Sequence, residues 1–306
     1  MILLAGVRSE EPLRLVAEAL DEEGTPYRMF HQRDFDHLSL HVRVERGHVR
    51  GALEMPDGVL PLEEVHGVYL RLMDDRVLPE LETEPEASQR RHHCRALHEA
   101  LLRWSEITPA RVVNRLAAMG SNFSKPYQAQ AILAAGFRTP PTLISNDPDR
   151  VLAFQREHRR IIYKSISGVR SIVRELGEAE RARLDRIRWC PTQFQAYVEG
   201  QDVRVHTIGD AVFATAITTT GTDYRYACRE EGGSTELEAV SLGADLEARC
   251  VGLARRLGLD FAGIDLKLSP GGAVYCFEVN PCPAYSYYEG HTGQPIARTL
   301  ARYLAA

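Results

Sequence analysis

The stretch that decides the fold is FAGIDLKLSPGGAVYCFEVNPCPAY, residues 261–285. It predicts two apolar strands joined by a Pro-Gly-Gly turn, with Asp265 on the first strand and Glu278 and Asn280 on the second. The side chains at 278 and 280 share a face because strand neighbours alternate. A buried carboxylate needs a partner, and three converging oxygen ligands suit a hard cation such as Mg²⁺, which is usually shared with phosphates. A polar network filling the sheet face is the alternative, but the irregular run PCPAY beside these residues favours a metal site.

The composition indicates a globular protein of one or two domains. The chain has 306 residues, of which 44% are hydrophobic and 26% charged, and a formal charge of -5. This charge gives no general attraction to nucleic acid or to anionic membranes. The opening MILLAGVRSEEPLR reads as a buried strand followed by charge, which predicts neither a signal peptide nor a membrane span. Six cysteines occur without a CxxC pair, which favours reduced thiols and a cytoplasmic location.

The chain divides into an N-terminal part and a second part that begins near Met119. The first hundred residues alternate strand and helix, as in an α/β unit, and contain no glycine-rich phosphate loop. LSLHVRVERGHVRGALEM alternates apolar and polar residues around Arg-Gly, as a β-hairpin does. A helix is predicted from about Glu84 to Trp104. The second part predicts a mixed α/β (α+β) organisation that ends in the hairpin described above and a closing helix.

Two lysines occupy positions that suit phosphate binding. Lys164 ends an apolar strand and precedes Ser-Ile-Ser-Gly, where Ser167 and Gly168 would let backbone amides approach an anion. Lys125 lies at a helix start, where a cation opposes the helix dipole unless an anion shares the site. A solvated lysine is the alternative at each position.

The segment FQAYVEGQDVR, residues 194–204, has the form of a strand, a turn and a second strand. Exposed backbone at such a strand end can pair with an adenine edge, and Asp202 can accept from ribose hydroxyls; an ordinary β-turn is the alternative. Arg204 on the second strand is a phosphate ligand or a salt-bridge partner. The loop DYRYACREEGG carries Arg225 and Arg229, whose forked donors suit carboxylate or phosphate, although a mobile surface loop fits equally. The histidines show no zinc spacing and the cysteines no nucleophile motif.

The order of these features resembles the ATP-grasp superfamily over residues 110 to 306. QAYVEGQDVRV, FAGIDL, FEVNPCPAY and TGQPIARTL resemble its RimK-like branch, which includes glutamate ligases. PARVVNRLAAMGSNFSKPYQAQ, YKSISGVRSIV and NPCPAYSYYEGHTGQPI are similar to the graspetide (microviridin-type) peptide macrocyclases, which join acidic side chains of a precursor peptide to its Lys, Ser or Thr side chains. One departure is the short loop SISGVRS after Lys164, where many RimK-like enzymes have a longer glycine-rich loop.

The resemblance implies an ATP-grasp fold in three parts. These are a pre-ATP-grasp α/β domain over 1–115, a central subdomain over 116–196 and a C-terminal subdomain with the metal site over 197–306. It also implies a role for each site residue. The phosphates and adenine of ATP would be bound by Lys125, Lys164, Ser167 and Gly168, and the adenine edge by Gln195, Ala196, Tyr197 and Val198. Asp202 would bind the ribose, and Arg204 and Arg225 would bind the transferred phosphoryl group or the acyl phosphate. Mg²⁺ would be held by Asp265, Glu278 and Asn280.

The activity implied is that of an ATP- and Mg²⁺-dependent ligase that joins a carboxylate to an amine or hydroxyl through an acyl phosphate. The expected product is an ester or amide crosslink between side chains of a ribosomal precursor peptide. Two metal ions are expected, with Mn²⁺ able to substitute, and the resemblance implies a homo-oligomer. The alternatives are a RimK-like ligase that adds a free amino acid to a peptide terminus or small molecule, a phosphotransferase, and a non-catalytic nucleotide-binding module.

Overall fold

The computed structural model describes residues 1–166, 173–219 and 235–306. Within these residues the strands form four sheets, with the orders β2-β1-β6-β7, β3-β4-β5, β10-β9-β11-β8 and β14-β13-β12-β15-β16. The strands are β1 Ile2–Gly6, β2 Tyr27–His31, β3 Ser39–Glu45, β4 His48–Met55, β5 Gly58–Pro61, β6 Gly67–Arg71, β7 Arg111–Val113, β8 Thr142–Ser145, β9 Ile161–Ser165, β10 Arg174–Glu175, β11 Thr192–Ala196, β12 Gln201–Ile208, β13 Ala211–Thr219, β14 Thr235–Val240, β15 Phe261–Leu268 and β16 Val274–Asn280.

Several of the α-helices of the described residues pack on these sheets. They are α1 Glu11–Glu22, α2 Gln89–Ile107, α3 Leu116–Met119, α4 Lys125–Ala134, α5 Pro148–His158, α6 Glu178–Arg181, α7 Ala244–Arg256, α8 Ser286–Thr292 and α9 Ile296–Ala305. In the part of the chain that the structure describes, no helix combines the length and apolarity needed to cross a membrane.

The N-terminal unit is built on a parallel sheet. Strands β1 and β6 are buried along their whole length, as expected of parallel strands covered on both faces. Helix α2 contributes Leu97, Leu101 and Trp104 to the core on one side. On the other side α1 packs with the C-terminal helix α9, whose Leu300 and Leu304 join the same cluster. The chain therefore returns to its N-terminal sheet at its end.

The hairpin predicted around Arg-Gly is confirmed by β3 and β4, which pair from Ser39 with Glu54 to Glu45 with His48. Helix α2 begins later than the sequence predicted, at Gln89, and continues to Ile107. The reason is a cap: the Ser88 hydroxyl accepts a hydrogen bond from the Arg91 backbone N–H at 3.2 Å, which satisfies one of the free donors of the first turn.

The central unit is an antiparallel sheet with one apolar face and one mixed face. Helix α5 and the outer face share a core that includes Val151, Ile161 and Phe194. On the inner face Gln193 of β11 lies between Lys164 of β9 and Ile144 of β8. The strand alternation thus directs polar side chains towards the C-terminal unit.

The hairpin predicted at residues 261–285 is confirmed as β15 and β16 of the C-terminal sheet. Asp265 is the direct partner of Glu278, and Gly263 that of Asn280. The register shifts after Asp265, so that Leu266 pairs with Cys276. The residue passed over by this β-bulge is Phe277, and bulges of this kind re-aim side chains next to functional sites.

The outer edge of β16 is closed by groups from elsewhere in the chain. The Arg138 backbone N–H donates to the Val274 carbonyl at 3.0 Å, and the Cys276 N–H donates to the Arg138 carbonyl at 2.8 Å. Further along, the Gln128 side chain of α4 donates to the Val279 carbonyl at 2.8 Å and accepts from its N–H at 3.0 Å. Because residues three apart share a helix face, this contact also places Lys125 beside β16.

Asn114, at the end of β7, joins the N-terminal unit to the C-terminal sheet. Its amide donates to the Phe261 carbonyl at 2.7 Å and to the Pro281 carbonyl at 2.6 Å. Its Oδ1 accepts from the backbone N–H groups of Asp260 at 2.9 Å and Phe261 at 3.2 Å. Asn114 is buried, so all of these backbone groups depend on one side chain.

We therefore expect Asn114→Ala to destabilise the protein strongly. Several buried backbone groups would lose their partners, at about 1–3 kcal/mol for each one left unsatisfied. For a protein of this size we expect the melting temperature to fall by roughly 5–10 °C. Asn146→Ala is the control, because the Asn146 amide makes one exposed contact, to the Arg188 carbonyl at 3.3 Å. A melting temperature for Asn114→Ala within 1 °C of the control would contradict this role.

Candidate active site

The two carboxylates and the amide that the sequence singled out are brought together by the hairpin. Asp265 and Glu278 are direct cross-strand partners, and Asn280 follows Glu278 by two residues. No group of three or more His, Cys, Asp or Glu side chains that could hold a metal is found among the described residues. Two carboxylates and one amide suit a hard cation that takes its remaining ligands from phosphate oxygens and water. The donor set therefore fits Mg²⁺ bound together with a phosphate compound.

Arg204 lies opposite Asp265 on β12 and is buried. Its Nη1 donates to Asp265 Oδ1 at 2.6 Å. The guanidinium fits because residue 263 is glycine: a Cβ there would lie 2.2 Å from Arg204 Nη2. The structure therefore gives Arg204 a salt bridge, and the same guanidinium lies on the strand next to the proposed metal ligands.

Glu278 forms an ion pair with Lys125 at the start of α4. Burial works to raise the pKa of Glu278, but the positive charges of Lys164, Lys125 and Arg204 lower it further, so that the pKa lies below its usual value. The carboxyl is held ionised, which is the form that binds a metal. Three cations around two carboxylates leave a local excess of positive charge that suits a polyanion.

Lys164 is buried on β9, next to Gln193 of β11, and its charge acts on Glu278. The structure thus brings Lys164 and Lys125 together at Glu278, the cross-strand partner of Asp265. Ser167, Gly168 and Arg225, together with Arg170 and Arg229, lie outside the described residues.

The backbone that links the central sheet to β12 borders a cavity of about 430 Å³. Its lining includes Ala196, Tyr197 and Val198, as well as residues 269–271 of the hairpin turn. Gly200 has φ of +146°, and a Cβ there would lie 2.2 Å from the Leu268 carbonyl oxygen. This glycine lets the linking segment lie directly against the hairpin.

Asp202 lies just beyond this segment, and its carboxylate pairs with Lys267 Nζ at 3.1 Å. The same ammonium lies 5.6 Å from the centroid of the Tyr197 ring. Lys267 was missed at the sequence level, although its alternation with Asp265 on one strand was a usable signal.

A second cavity, of about 250 Å³, extends between α4 and the inner face of the central sheet. Lys125, Gln195 and Phe277 are among its lining residues. The buried Oε1 atoms of Gln193 and Gln195 have no hydrogen-bond partner in the described part of the chain. A buried acceptor left unsatisfied costs about 1–3 kcal/mol, and the exocyclic amine of adenine is a donor that would satisfy one. The residues present therefore fit an adenine nucleotide.

Comparison with known proteins identifies relatives of this chain. A family model described as the RimK-like ATP-grasp domain matches residues 128–304. A probable alpha-L-glutamate ligase of Sodalis glossinidius (strain morsitans) is 27% identical over 217 residues, which cover 68% of this chain and 72% of that protein.

Solved structures confirm the predicted ATP-grasp fold. The macrocyclase MdnC from Microcystis aeruginosa MRC, bound with precursor peptide MdnA, is 21% identical with a TM-score of 0.80, covering 100% of this chain and 99% of that chain. The ATP-grasp ligase PsnB, complexed with a phosphomimetic variant of its minimal precursor, Mg and ADP, is 26% identical with a TM-score of 0.77, covering 99% and 97%.

The ion pair of Lys125 with Glu278 predicts that a divalent cation alone binds weakly. In Lys125→Met, Glu278 loses an internal cation, so we expect the affinity for Mn²⁺ alone to rise by roughly 3- to 10-fold, equivalent to about 0.7–1.4 kcal/mol. The affinity for ADP should fall in the same variant. Free Mn²⁺ is measured by electron paramagnetic resonance. Lys267→Met, which removes the partner of Asp202 instead, should leave Mn²⁺ affinity unchanged; an unchanged or lower affinity in Lys125→Met would contradict the prediction.

Proposed function

The chain belongs to the RimK-like ATP-grasp family, and from that premise we propose that it is an ATP- and Mg²⁺-dependent ligase that joins a carboxylate to an amine or a hydroxyl. The observation that carries the proposal is the pairing of Asp265 with Glu278, with Asn280 beside them, on a strand face that also receives Arg204 and Lys125. This arrangement gathers oxygen ligands and cations beside the cavity between α4 and the central sheet, which Lys125 lines.

The chemistry requires activation because a carboxylate is a poor electrophile. Transfer of the γ-phosphoryl of ATP to a carboxylate oxygen gives an acyl phosphate and ADP. The acceptor nitrogen or oxygen then attacks the carbonyl carbon, the C–O bond to phosphate breaks, and the acceptor loses its proton. Mg²⁺, when bound, offsets charge on the phosphate oxygens. The protein supplies positioning and electrostatic stabilisation and needs no nucleophile of its own.

Each side chain of the site takes a share of this work in the proposal. Lys125 and Lys164 bind phosphate oxygens, and Arg204 meets the phosphoryl group as it is transferred. Backbone groups of residues 196–198 and the Gln195 amide bind adenine, and Asp202 accepts from the ribose. When the nucleotide and metal bind, Lys125 separates from Glu278 and Arg204 separates from Asp265. The two cations can then bind phosphate, and the two carboxylates can bind the metal. Ser167, Gly168 and Arg225 stay predictions for phosphate and acyl-phosphate binding.

The substrate we propose is a precursor peptide, crosslinked between its side chains by ester or amide bonds. The resemblance of several segments to peptide macrocyclases supports this, as does the similarity to PsnB, whose structure contains a precursor variant. The second candidate is the addition of a free amino acid to a peptide terminus or small molecule, favoured by relatives named alpha-L-glutamate ligase. We also propose that the enzyme binds two metal ions, with Mn²⁺ able to substitute for Mg²⁺, and that it is a cytoplasmic homo-oligomer. The division of the chain into three parts, after residues 115 and 196, is likewise a proposal.

Intact mass of a co-expressed peptide separates these two candidates. The peptide is encoded by a small acidic open reading frame containing Thr, Ser or Lys beside the gene. Crosslinking removes one water for each bond formed, whereas extension adds the mass of an amino-acid residue. An unchanged peptide, with ATP consumed only when free amino acids are present, would contradict the crosslinking proposal.

Glu278→Gln tests the metal assignment. The substitution keeps the size of the side chain but removes the charge that binds the cation, so we expect ATP consumption to fall by about 100-fold or more. Glu157→Gln, an exposed position on α5, is the matched control and should keep full activity. ATP turnover by folded Glu278→Gln at the parental rate would refute the assignment of this residue to the metal.

A further inference from the structure

Arg204 donates hydrogen bonds from two of its nitrogen atoms, and its third nitrogen lies close to a glycine. Nη1 donates to Asp265 Oδ1 at 2.6 Å, and Nε donates to His206 Nε2 at 3.4 Å. Nη2 lies over the backbone of Gly263, where a Cβ would come within 2.2 Å of it. The Tyr288 ring lies 5.7 Å from the guanidinium carbon. The plane of the guanidinium is therefore defined by its surroundings.

His206 is a neutral acceptor in this arrangement. Its side chain is fully buried, and both burial and the charge of Arg204 lower the pKa of its imidazole well below the usual value. A neutral imidazole has one donor and one acceptor nitrogen. Because Nε2 accepts from Arg204, Nδ1 carries the proton.

The environment of Nδ1, the second ring nitrogen, shows that a contribution to stability does not explain why a histidine occupies position 206. Within the described residues His206 Nδ1 is buried and has no hydrogen-bond partner. A buried donor without a partner destabilises the folded state, and an apolar side chain of similar size would avoid that loss. Full burial also excludes contact with a substrate, so His206 is not a general base.

The remaining contact of His206 that bears on chemistry is the one to Arg204. We propose that His206 is a positioning residue: by accepting from Nε it fixes the plane of the Arg204 guanidinium, with Nη1 directed at the strand that carries the metal ligands. This inference rests on the proposed function, in which Arg204 meets the transferred phosphoryl group.

Asp265 alone would hold Arg204 less well in the working enzyme. Asp265 is also a proposed metal ligand, so a bound cation would draw this carboxylate away from the guanidinium. The contact to His206 lies at Nε, away from that carboxylate, and does not compete with the metal. It keeps Arg204 oriented when its ion pair to Asp265 is weakened.

Three variants test the role of His206. His206→Leu removes the acceptor with little change in volume, and His206→Gln restores an acceptor at the end of a side chain of similar reach. Thr207→Val is the matched control: Thr207 is the next residue of β12, is equally buried, and its Oγ1 also lacks a partner in the described part of the structure. Thr207 points to the opposite face of the strand from Arg204.

The binding readout compares ADP with the non-hydrolysable ATP analogue adenylyl-imidodiphosphate, both with Mg²⁺, by calorimetry. We expect His206→Leu to bind the analogue at least 5-fold more weakly while its affinity for ADP changes by less than 2-fold. The melting temperature of this variant should equal or exceed that of the parent. His206→Gln should recover analogue binding to within 2-fold of the parent, and Thr207→Val should leave both affinities unchanged.

A double-mutant cycle with Arg204→Lys identifies the partner through which His206 acts. Lysine has no Nε–H to donate in that geometry, so His206→Leu should weaken analogue binding by less than 2-fold further in an Arg204→Lys background. Equal, independent losses in both backgrounds would overturn the inference.

The outcomes separate this inference from the proposed function. Parental protein that binds neither ADP nor the analogue would overturn both. Two outcomes would overturn the positioning role alone, provided that the parental protein binds both ligands. In the first, His206→Leu binds the analogue as the parent does. In the second, the leucine and glutamine variants are equally impaired and both are less stable than the parent. Selective loss in His206→Leu with recovery in His206→Gln would establish it.

Discussion

The position of the hairpin that carries Asp265, Glu278 and Asn280 depends on hydrogen bonds between its backbone and side chains from distant parts of the chain. Strand β16 is the outer strand of its sheet, and an open edge would leave its amides unpaired. Gln128 pairs with Val279, and Asn114 holds Phe261 and Pro281 at the open end of the hairpin, where β15 begins and β16 ends. These bonds fix Asn280 between two restrained residues and set Lys125 opposite Glu278, so that the geometry of the site follows from the closure of one strand edge.

The ion pairs of the site are poorly explained as stabilising contacts. A partly buried pair loses hydration that its mutual attraction only partly replaces, and both Lys125–Glu278 and Arg204–Asp265 are shielded from solvent. In the proposed function these pairs are exchangeable, because each joins a cation suited to phosphate to a carboxylate suited to a metal. Entry of a nucleotide with its metal would give each charge a new partner. The charges are already arranged before the ligand arrives, which would reduce the reorganisation needed for catalysis.

The sequence predicted those parts of the site that depend on local pattern. Strand alternation and the Pro-Gly-Gly turn were enough to place Asp265 and Glu278 on the two strands of one hairpin, and the apolar run before Lys164 placed this lysine at the end of a strand. It did not predict Gln128, Asn114 or His206. Gln128 contacts a residue 151 positions away, and Asn114 contacts one 147 positions away. No local periodicity encodes such a pairing. The start of α2 was also misplaced, because the cap by Ser88 outweighed a helical pattern that began earlier.

Buried polar atoms without partners give a second view of where this fold serves function. Native interiors pair nearly all such groups, so each exception needs a physical reason. Gln193 and Gln195 line the cavity beside Lys125, and His206 accepts from Arg204 with one nitrogen while the other has no partner in the described structure. In the proposed function a bound nucleotide supplies the missing donor in the first case, and in the second case the orientation of Arg204 compensates for the unpaired nitrogen. Thr207 has the same deficiency, and nothing in the structure explains it. The exceptions that have an explanation thus lie beside the cavity lined by Lys125 and beside Arg204, where in the proposed function stability has been exchanged for preorganisation.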